Sequence, residues 1–348
     1  MMGGTASAIA PSVRERLEEY GTAARARMRE YLRDRQSHHA FYDLVSDYPE
    51  RGGRVLRASL CLATARAFGA HPTDALNSAV ALELLHNAFL VHDDLEDESE
   101  ERRGRPTLHL SHGAPLAINV GDALAVLSLR PLIDNVGTLG SRLALRVLEE
   151  AERMARESVE GQALELWWRQ HNTVDLGESD YLRMVLKKTC WYTTIYPMRI
   201  GALIGTRDGV DLDRYLHFGF FVGAAFQIQD DLLNLVGDAA RYGKELNGDL
   251  WEGKRTLMLI HLLNAATSDE RERLTRVLGM PRAARTVEEV QWIRERMERY
   301  GSIDYARQVA HGLAGAALHE FSLAFADLPD SPDRAFLEAL PTWVIERN

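Results

Sequence analysis

Two long apolar segments, each ending in a burst of carboxylates, constrain this chain more than any other feature. Residues 74–97 run through Ala79, Val80, Ala81 and Leu82 and close on Asp93, Asp94, Leu95, Glu96 and Asp97. Residues 211–239 run through Phe218, Gly219, Phe220, Phe221 and Val222 and close on Asp230, Asp231, Leu232, Leu233 and Asn234. In both, apolar residues recur at three- and four-residue steps, the period of a helix, and cover most of its circumference. A helix apolar on every side belongs inside a large bundle. Carboxylates at the mouth of such a bundle are costly unless cations neutralise them.

The spacing of the carboxylates points to the cation. On a helix Asp93 and Asp97 project from one face, with Asp94 about 100° round the axis. Asp230 and Asn234 share a face in the same way, and Asp238 continues it. Like charges so spaced repel. Mg²⁺ removes the repulsion, because it takes a few carboxylates, keeps several waters and draws its other ligands from phosphate oxygens. A single acidic run can be a solvated helix end. Two of them, each closing an apolar helix, point to a metal–diphosphate cluster held between facing stripes.

The same periodicity recurs at 54–68, 114–131, 141–170, 180–205 and 254–266, with no convincing alternating strand, and Gly- and Pro-bearing breaks separate the segments. The expectation is an all-α fold, a single large helical bundle with a central cavity. The 348 residues show no linker, low-complexity tract or repeat, so one domain over 1–348 is expected, with 1–11 flexible. A net charge of -10, with arginines dispersed among glutamates, speaks against a nucleic-acid partner. Cys61 and Cys190 are too few for a disulfide framework, and no run approaches twenty uninterrupted apolar residues. A cytoplasmic protein without a transmembrane segment is expected.

The flanks of the acidic runs add to the pattern. Glu83, Leu84, Leu85 and His86 precede the first, and Arg102, Arg103, Gly104, Arg105, Pro106 and Thr107 follow it. Phe226 and Gln227 lead into the second; Tyr181, Met184, Lys187, Lys188 and Thr189 lie between the two, and Gly243, Lys244, Asp249, Gly253 and Lys254 come after. In these motifs, over about residues 52–260, the chain resembles the trans-isoprenyl diphosphate synthases, the polyprenyl synthetases of farnesyl and geranylgeranyl diphosphate synthase type.

The resemblance implies a helical bundle of the isoprenoid synthase type and a Mg²⁺-dependent prenyltransferase that condenses isopentenyl diphosphate with an allylic diphosphate. It implies three Mg²⁺ ions, for which Mn²⁺ can substitute, and a homodimer. Asp93, Asp94 and Asp97, with Asp230, Asp231 and Asn234, would be the metal ligands, Asp230 being the principal one of the second run. Arg54, Arg57, His86 and Arg103 would hold the homoallylic diphosphate, Arg102 and Lys188 would contact the allylic one, and Lys244 and Lys254 would stand at phosphate-binding positions. Thr189 and Gln227 would present oxygens to the developing carbocation, which places them with Asp93, Asp97, Lys188 and Asp230 in the catalytic set. Gln162 and Glu165 would hold a lysine or a metal-bound water, and Asp249 would sit at or beside the metals.

Some positions depart from the family's pattern. Gly52, Gly53, Arg54, Val55, Leu56, Arg57 and Ala58 stand where G-G-K-R-x-R-P is usual, and Asn234 replaces an aspartate. Ala88 and Phe89, one turn before Asp93, would floor the cavity and set chain length. The small Ala88 favours a twenty-carbon product, geranylgeranyl diphosphate, with farnesyl diphosphate next. Two rival readings stay open: a class I terpene cyclase, favoured by the spacing of Asp230, Asn234 and Asp238, and a non-catalytic partner subunit of a prenyl synthase. A cyclase has no use for Arg54, Arg57, His86 and Arg103 together, and a partner subunit would be expected to have lost more of the acidic and basic residues.

Overall fold

The computed structural model describes residues 6–33, 39–237 and 247–347. The carboxylate-tipped segments form α4 (Leu76–Glu96) and α10 (Leu216–Val236) at the centre of a helical bundle. Against them pack α1 (Ala6–Arg33), α2 (His39–Glu50), α3 (Leu56–Ala67), α5 (Leu108–His112), α6 (Ala114–Leu139), α8 (Glu178–Val185) and α9 (Tyr196–Gly205), while α7 (Ser141–Gln170) packs on α6, α8 and α9. The chain continues through α11 (Gly248–Glu252), α12 (Leu257–Ala265), α13 (Ser268–Leu278), α14 (Val287–Arg299), α15 (Ser302–Ala324) and α16 (Pro332–Glu346).

Three features depart from the periodicity. Glu101–Arg102 pairs antiparallel with Arg105–Pro106, a two-residue ladder where no strand was expected, and Arg103 and Gly104 turn it with φ of 55° and 71°. The tight turn folds Arg102 and Arg103 back beneath the first acidic run. Second, 180–205 is not one continuous α-helix, because a wider π-helical stretch, Leu186–Ile195, joins α8 to α9. Glycines of two neighbours admit it: a Cβ on Gly161 of α7 would lie 2.1 Å from the Lys188 amide nitrogen, and one on Gly223 of α10 would lie 2.6 Å from Thr194 Oγ1. Third, α6 runs through Pro131 and ends only at Leu139, where Gly140 caps it at φ 83°.

That longer α6, interrupted by Asp122, Arg130 and Asp134, is the one helix among the described residues long and apolar enough to cross a membrane by length and composition. It packs along α4, and 44% of its most apolar window is buried. Its other side leaves Val126, Ile133 and Val136 more than half exposed.

The segment beyond residue 267, silent to motif reading, supplies four more helices. Thr267 with Glu270 and Thr286 with Glu289 form capping boxes that start α13 and α14. Helices α15 and α16 close over α10, so one buried apolar cluster extends from Val13 to Val344. Each large side chain sealed in it, such as Phe218 or Phe336, contributes about 2–3 kcal/mol. Cys61 and Cys190 are free and buried, and burial pushes both thiols up, that of Cys61 to about 12.

Candidate active site

Helix α4 presents two stripes to different surroundings. Val80, Leu84, Ala88 and Val91 pack into a cluster with Val45, Tyr48, Val120 and Leu124 of α2 and α6. Asp94 continues that stripe, so its carboxylate is 1% exposed and accepts bonds from Arg102 Nε at 3.0 Å and from the Tyr48 hydroxyl. The other stripe, His86, Phe89 and Asp93, lines a cavity of about 560 Å³. Asp94 is thus occupied by protein partners, and of the two residues expected at the floor Phe89 lines the cavity while Ala88 packs among the α2 and α6 side chains.

Asp93 meets two cations, Lys188 Nζ at 3.4 Å and Arg102 Nη2 at 3.5 Å, with Gln162 Nε2 also at 3.4 Å. Lys188 is pinned by Glu165 of α7. Burial acts to lower the Lys188 pKa, but Glu165 and Asp93 outweigh it and hold the ammonium charged. Asp97, 1% exposed, is ion-paired with Arg169 and with Lys254 Nζ, the latter at 2.7 Å. Burial acts to raise its pKa; Lys254, Lys188 and Arg169 bring it below the usual carboxylate range.

Helix α10 brings Gln227, Asp230 and Asp231 to the same cavity. Thr189 Oγ1 donates to Gln227 Oε1 at 2.8 Å, and Gln227 Nε2 donates to Asp231 at 2.7 Å, so hydroxyl, amide and carboxylate form one chain. Asp231 also accepts from the Tyr181 hydroxyl at 2.8 Å. Burial, then the charge of Asp249, pushes its carboxyl up to about 8. Asp230 pairs with Arg347 Nη2 at 2.7 Å. Asn234 is 3% exposed and does not line the cavity; its Oδ1 accepts the Asp249 amide at 3.1 Å, so it braces a loop where the motif suggested a metal ligand. Lys244 and Asp238 lie outside the described residues.

A smaller cavity of about 80 Å³, lined by Arg54, Glu83 and Asn87, shares Arg57, His86, Arg103 and Phe226 with the large one and so adjoins it. Arg57 donates through Nη2 to Thr193 Oγ1 at 2.9 Å and lies over the Tyr192 ring at 4.3 Å. Arg54 lies over Trp343 at 5.6 Å. Burial and the neighbouring Arg102 push Arg103 down to about 10. Arg57 Nε and His86 Nδ1 are buried with no hydrogen-bond partner among the described residues.

Acidic and basic side chains line the large cavity together. Asp93, Glu96, Asp230, Asp231 and Asp249 line the large cavity, although among the described residues no three metal-ligating side chains converge on one point. This all-oxygen donor set fits Mg²⁺. Tyr48, Arg169, Tyr192 and Arg347 were missed from sequence. Only Arg169 carried a signal, standing four residues after Glu165 on the same face of α7.

The family model described as polyprenyl synthetase matches residues 38–297. A short-chain isoprenyl diphosphate synthase of Methanothermobacter thermautotrophicus is 33% identical over 339 residues, spanning 95% of this chain and 98% of its own. Among solved structures, geranylgeranyl pyrophosphate synthetase from Pyrococcus horikoshii superposes with a TM-score of 0.84 at 30% identity, covering 97% of this chain and 98% of that one. A geranylgeranyl pyrophosphate synthase from Corynebacterium glutamicum, complexed with isoprenyl diphosphate and magnesium, gives 0.82 at 26% identity, covering 95% and 99%.

Proposed function

The chain belongs to the polyprenyl synthetase family, and from that membership we propose that it is a Mg²⁺-dependent prenyltransferase joining isopentenyl diphosphate to an allylic diphosphate, with geranylgeranyl diphosphate as product. One observation carries the reading: an acidic cavity crossed by Lys188 and Lys254 opens onto a basic pocket of Arg54, Arg57, His86 and Arg103. We assign one diphosphate to each. A cyclase, which takes a single substrate, leaves the basic pocket without a purpose.

Asp93 and Asp97 on one side and Asp230 and Asp231 on the other would hold the Mg²⁺, taken as three ions with Mn²⁺ able to substitute. When bound, the metal stabilises negative charge gathering on the departing diphosphate. Lys188 and Lys254 add fixed positive charge at the same place. Arg57, His86 and Arg103 orient the homoallylic partner so that its double bond meets the allylic carbon, and this alignment replaces a bimolecular encounter. Thr189 and Gln227 face the cationic carbon with oxygens already tied into the chain to Asp231. The apolar walls around Phe89, Leu90 and Leu166 exclude the water that would trap the cation.

A homodimer is supported by the exposed apolar side chains of α6 and α7, among them Val126, Ile133, Leu145 and Val159. The two buried, unpaired cysteines fit a cytoplasmic setting.

Calorimetric titration tests the division of labour. Isopentenyl diphosphate is expected to bind with or without Mg²⁺, since arginines and a histidine receive it, whereas an allylic diphosphate analogue binds only with Mg²⁺. Metal-free binding of the allylic analogue with none of isopentenyl diphosphate would contradict the assignment.

A further inference from the structure

Arg285 is 9% exposed, lines neither cavity and spends its whole guanidinium on backbone carbonyls. Nε donates to Val277 O at 3.2 Å, and Nη2 to Leu278 O at 2.9 Å and Met280 O at 3.0 Å. Nη1 donates to Leu250 O at 3.1 Å and to Trp251 O. The first three acceptors lie at the carbonyl end of α13 and the last two at the carbonyl end of α11. Helix C-termini carry unpaired carbonyls and partial negative charge, and a planar five-donor fork can satisfy two of them at once where an ammonium cannot.

What Arg285 holds bears on the reaction. Helix α11 has five residues, too short to persist alone. Its other end is fixed by Asn234, whose Oδ1 accepts the Asp249 amide and whose carbonyl accepts the Asn247 amide at 2.9 Å. Directly after α11, Gly253 turns the chain at φ 71°, where any other side chain is strained, and a Cβ there would come 2.7 Å from Arg285 Nη2. The next residue is Lys254, with its ammonium 2.7 Å from Asp97 and 2.8 Å from Glu252.

We infer that Arg285 is a positioning residue for the reaction: by tying the carbonyl end of α11 to that of α13 it sets Lys254 and Asp249 at the allylic diphosphate site. The inference rests on the prenyltransferase reading, and it gives the segment beyond residue 267 a part in the active site. Arg285 touches no substrate, and its effect passes through the backbone of residues 250–254.

The test compares the full chain with Arg285→Met, Arg285→Lys, Lys254→Ala and Lys254→Ala/Arg285→Lys, each checked for folding by circular dichroism and thermal melting. Steady-state constants are measured for both substrates with Mg²⁺. Arg285→Lys is expected to raise KM for the allylic diphosphate about tenfold and leave KM for isopentenyl diphosphate within about twofold. In the Lys254→Ala background the same change should add less than about twofold, because the route through Lys254 is already cut. A purely structural role would lower the melting temperature and kcat and leave that split absent. Should Arg285→Met not fold, Arg285→Lys, which keeps the charge and some of the bonds, decides. An unchanged allylic KM, or full additivity in the double variant, overturns the inference while an active wild type leaves the prenyltransferase reading standing. A wild type that makes no product from the two substrates overturns both.

Discussion

Arg57 donates through Nη1 to His86 Nε2 across 3.2 Å, and because a guanidinium has no acceptor, His86 must receive that bond as a neutral imidazole. Its proton is then on Nδ1, the buried atom without a partner among the described residues. Burial, with Arg57 and Arg103 nearby, holds the His86 pKa well below the ordinary value of about 6.5.

This fixes a pH dependence. The unfolded chain binds a proton at His86 as pH falls through about 6.5 and the folded chain does not, so His86 lowers stability on the acid side and is neutral to it above. KM for isopentenyl diphosphate is expected to show no titration between about pH 6 and 8. A histidine step near 6.5 in that profile, absent from His86→Gln, would contradict the assignment.

Asp93 and Asp94 are neighbours with different expected costs. Asp94→Asn breaks a buried pair with Arg102, and a stability loss of about 3 kcal/mol is expected by denaturant unfolding. Asp93→Asn, on the cavity side, should melt within a few degrees of the wild type and lose most of its turnover. Equal stability of the two variants would show that the α4 stripes are assigned wrongly.

Phe89 meets Tyr192 edge-on, with ring centroids 5.6 Å apart. Phe89→Ala and Tyr192→Ala should each lengthen the product, and the pair more than either, by chromatography of the dephosphorylated alcohols. Ala88→Phe, placed in the α2–α6 cluster, should cost about 1–3 kcal/mol and leave chain length unchanged. A shortened product from that variant would return Ala88 to the floor.

Gly161→Ala puts a methyl against the Lys188 amide, and a lower melting temperature together with a raised allylic KM is expected. A variant indistinguishable from wild type in both would mean that the π-helical stretch does not depend on this contact.

These contrasts show what could be read from residues alone. Apolar periodicity located α4, α7 and α10, because a helix buried on most sides leaves its period in the sequence. It could not foresee the winding at Leu186–Ile195, which depends on Gly161 and Gly223 of other helices. The motif residues Asp93, Lys188, Gln227 and Asp230 do gather at one cavity. Helical spacing separated Asp93 from Asp94 by angle but not by surroundings. Had the stripe of Val80, Leu84, Ala88 and Val91 been extended one step, it would have placed Asp94 with the core. Arg347 and Arg285 belong to no motif, and only the folded chain brings them to Asp230 and to α11.

Product analysis tests the central claim most directly: the purified chain is incubated with Mg²⁺ and an allylic diphosphate, with and without isopentenyl diphosphate, and the products are identified by mass spectrometry. Elongation to geranylgeranyl diphosphate is expected only when both substrates are present, and none with a metal chelator. A hydrocarbon formed from the allylic diphosphate alone, or no turnover with both substrates, would contradict it.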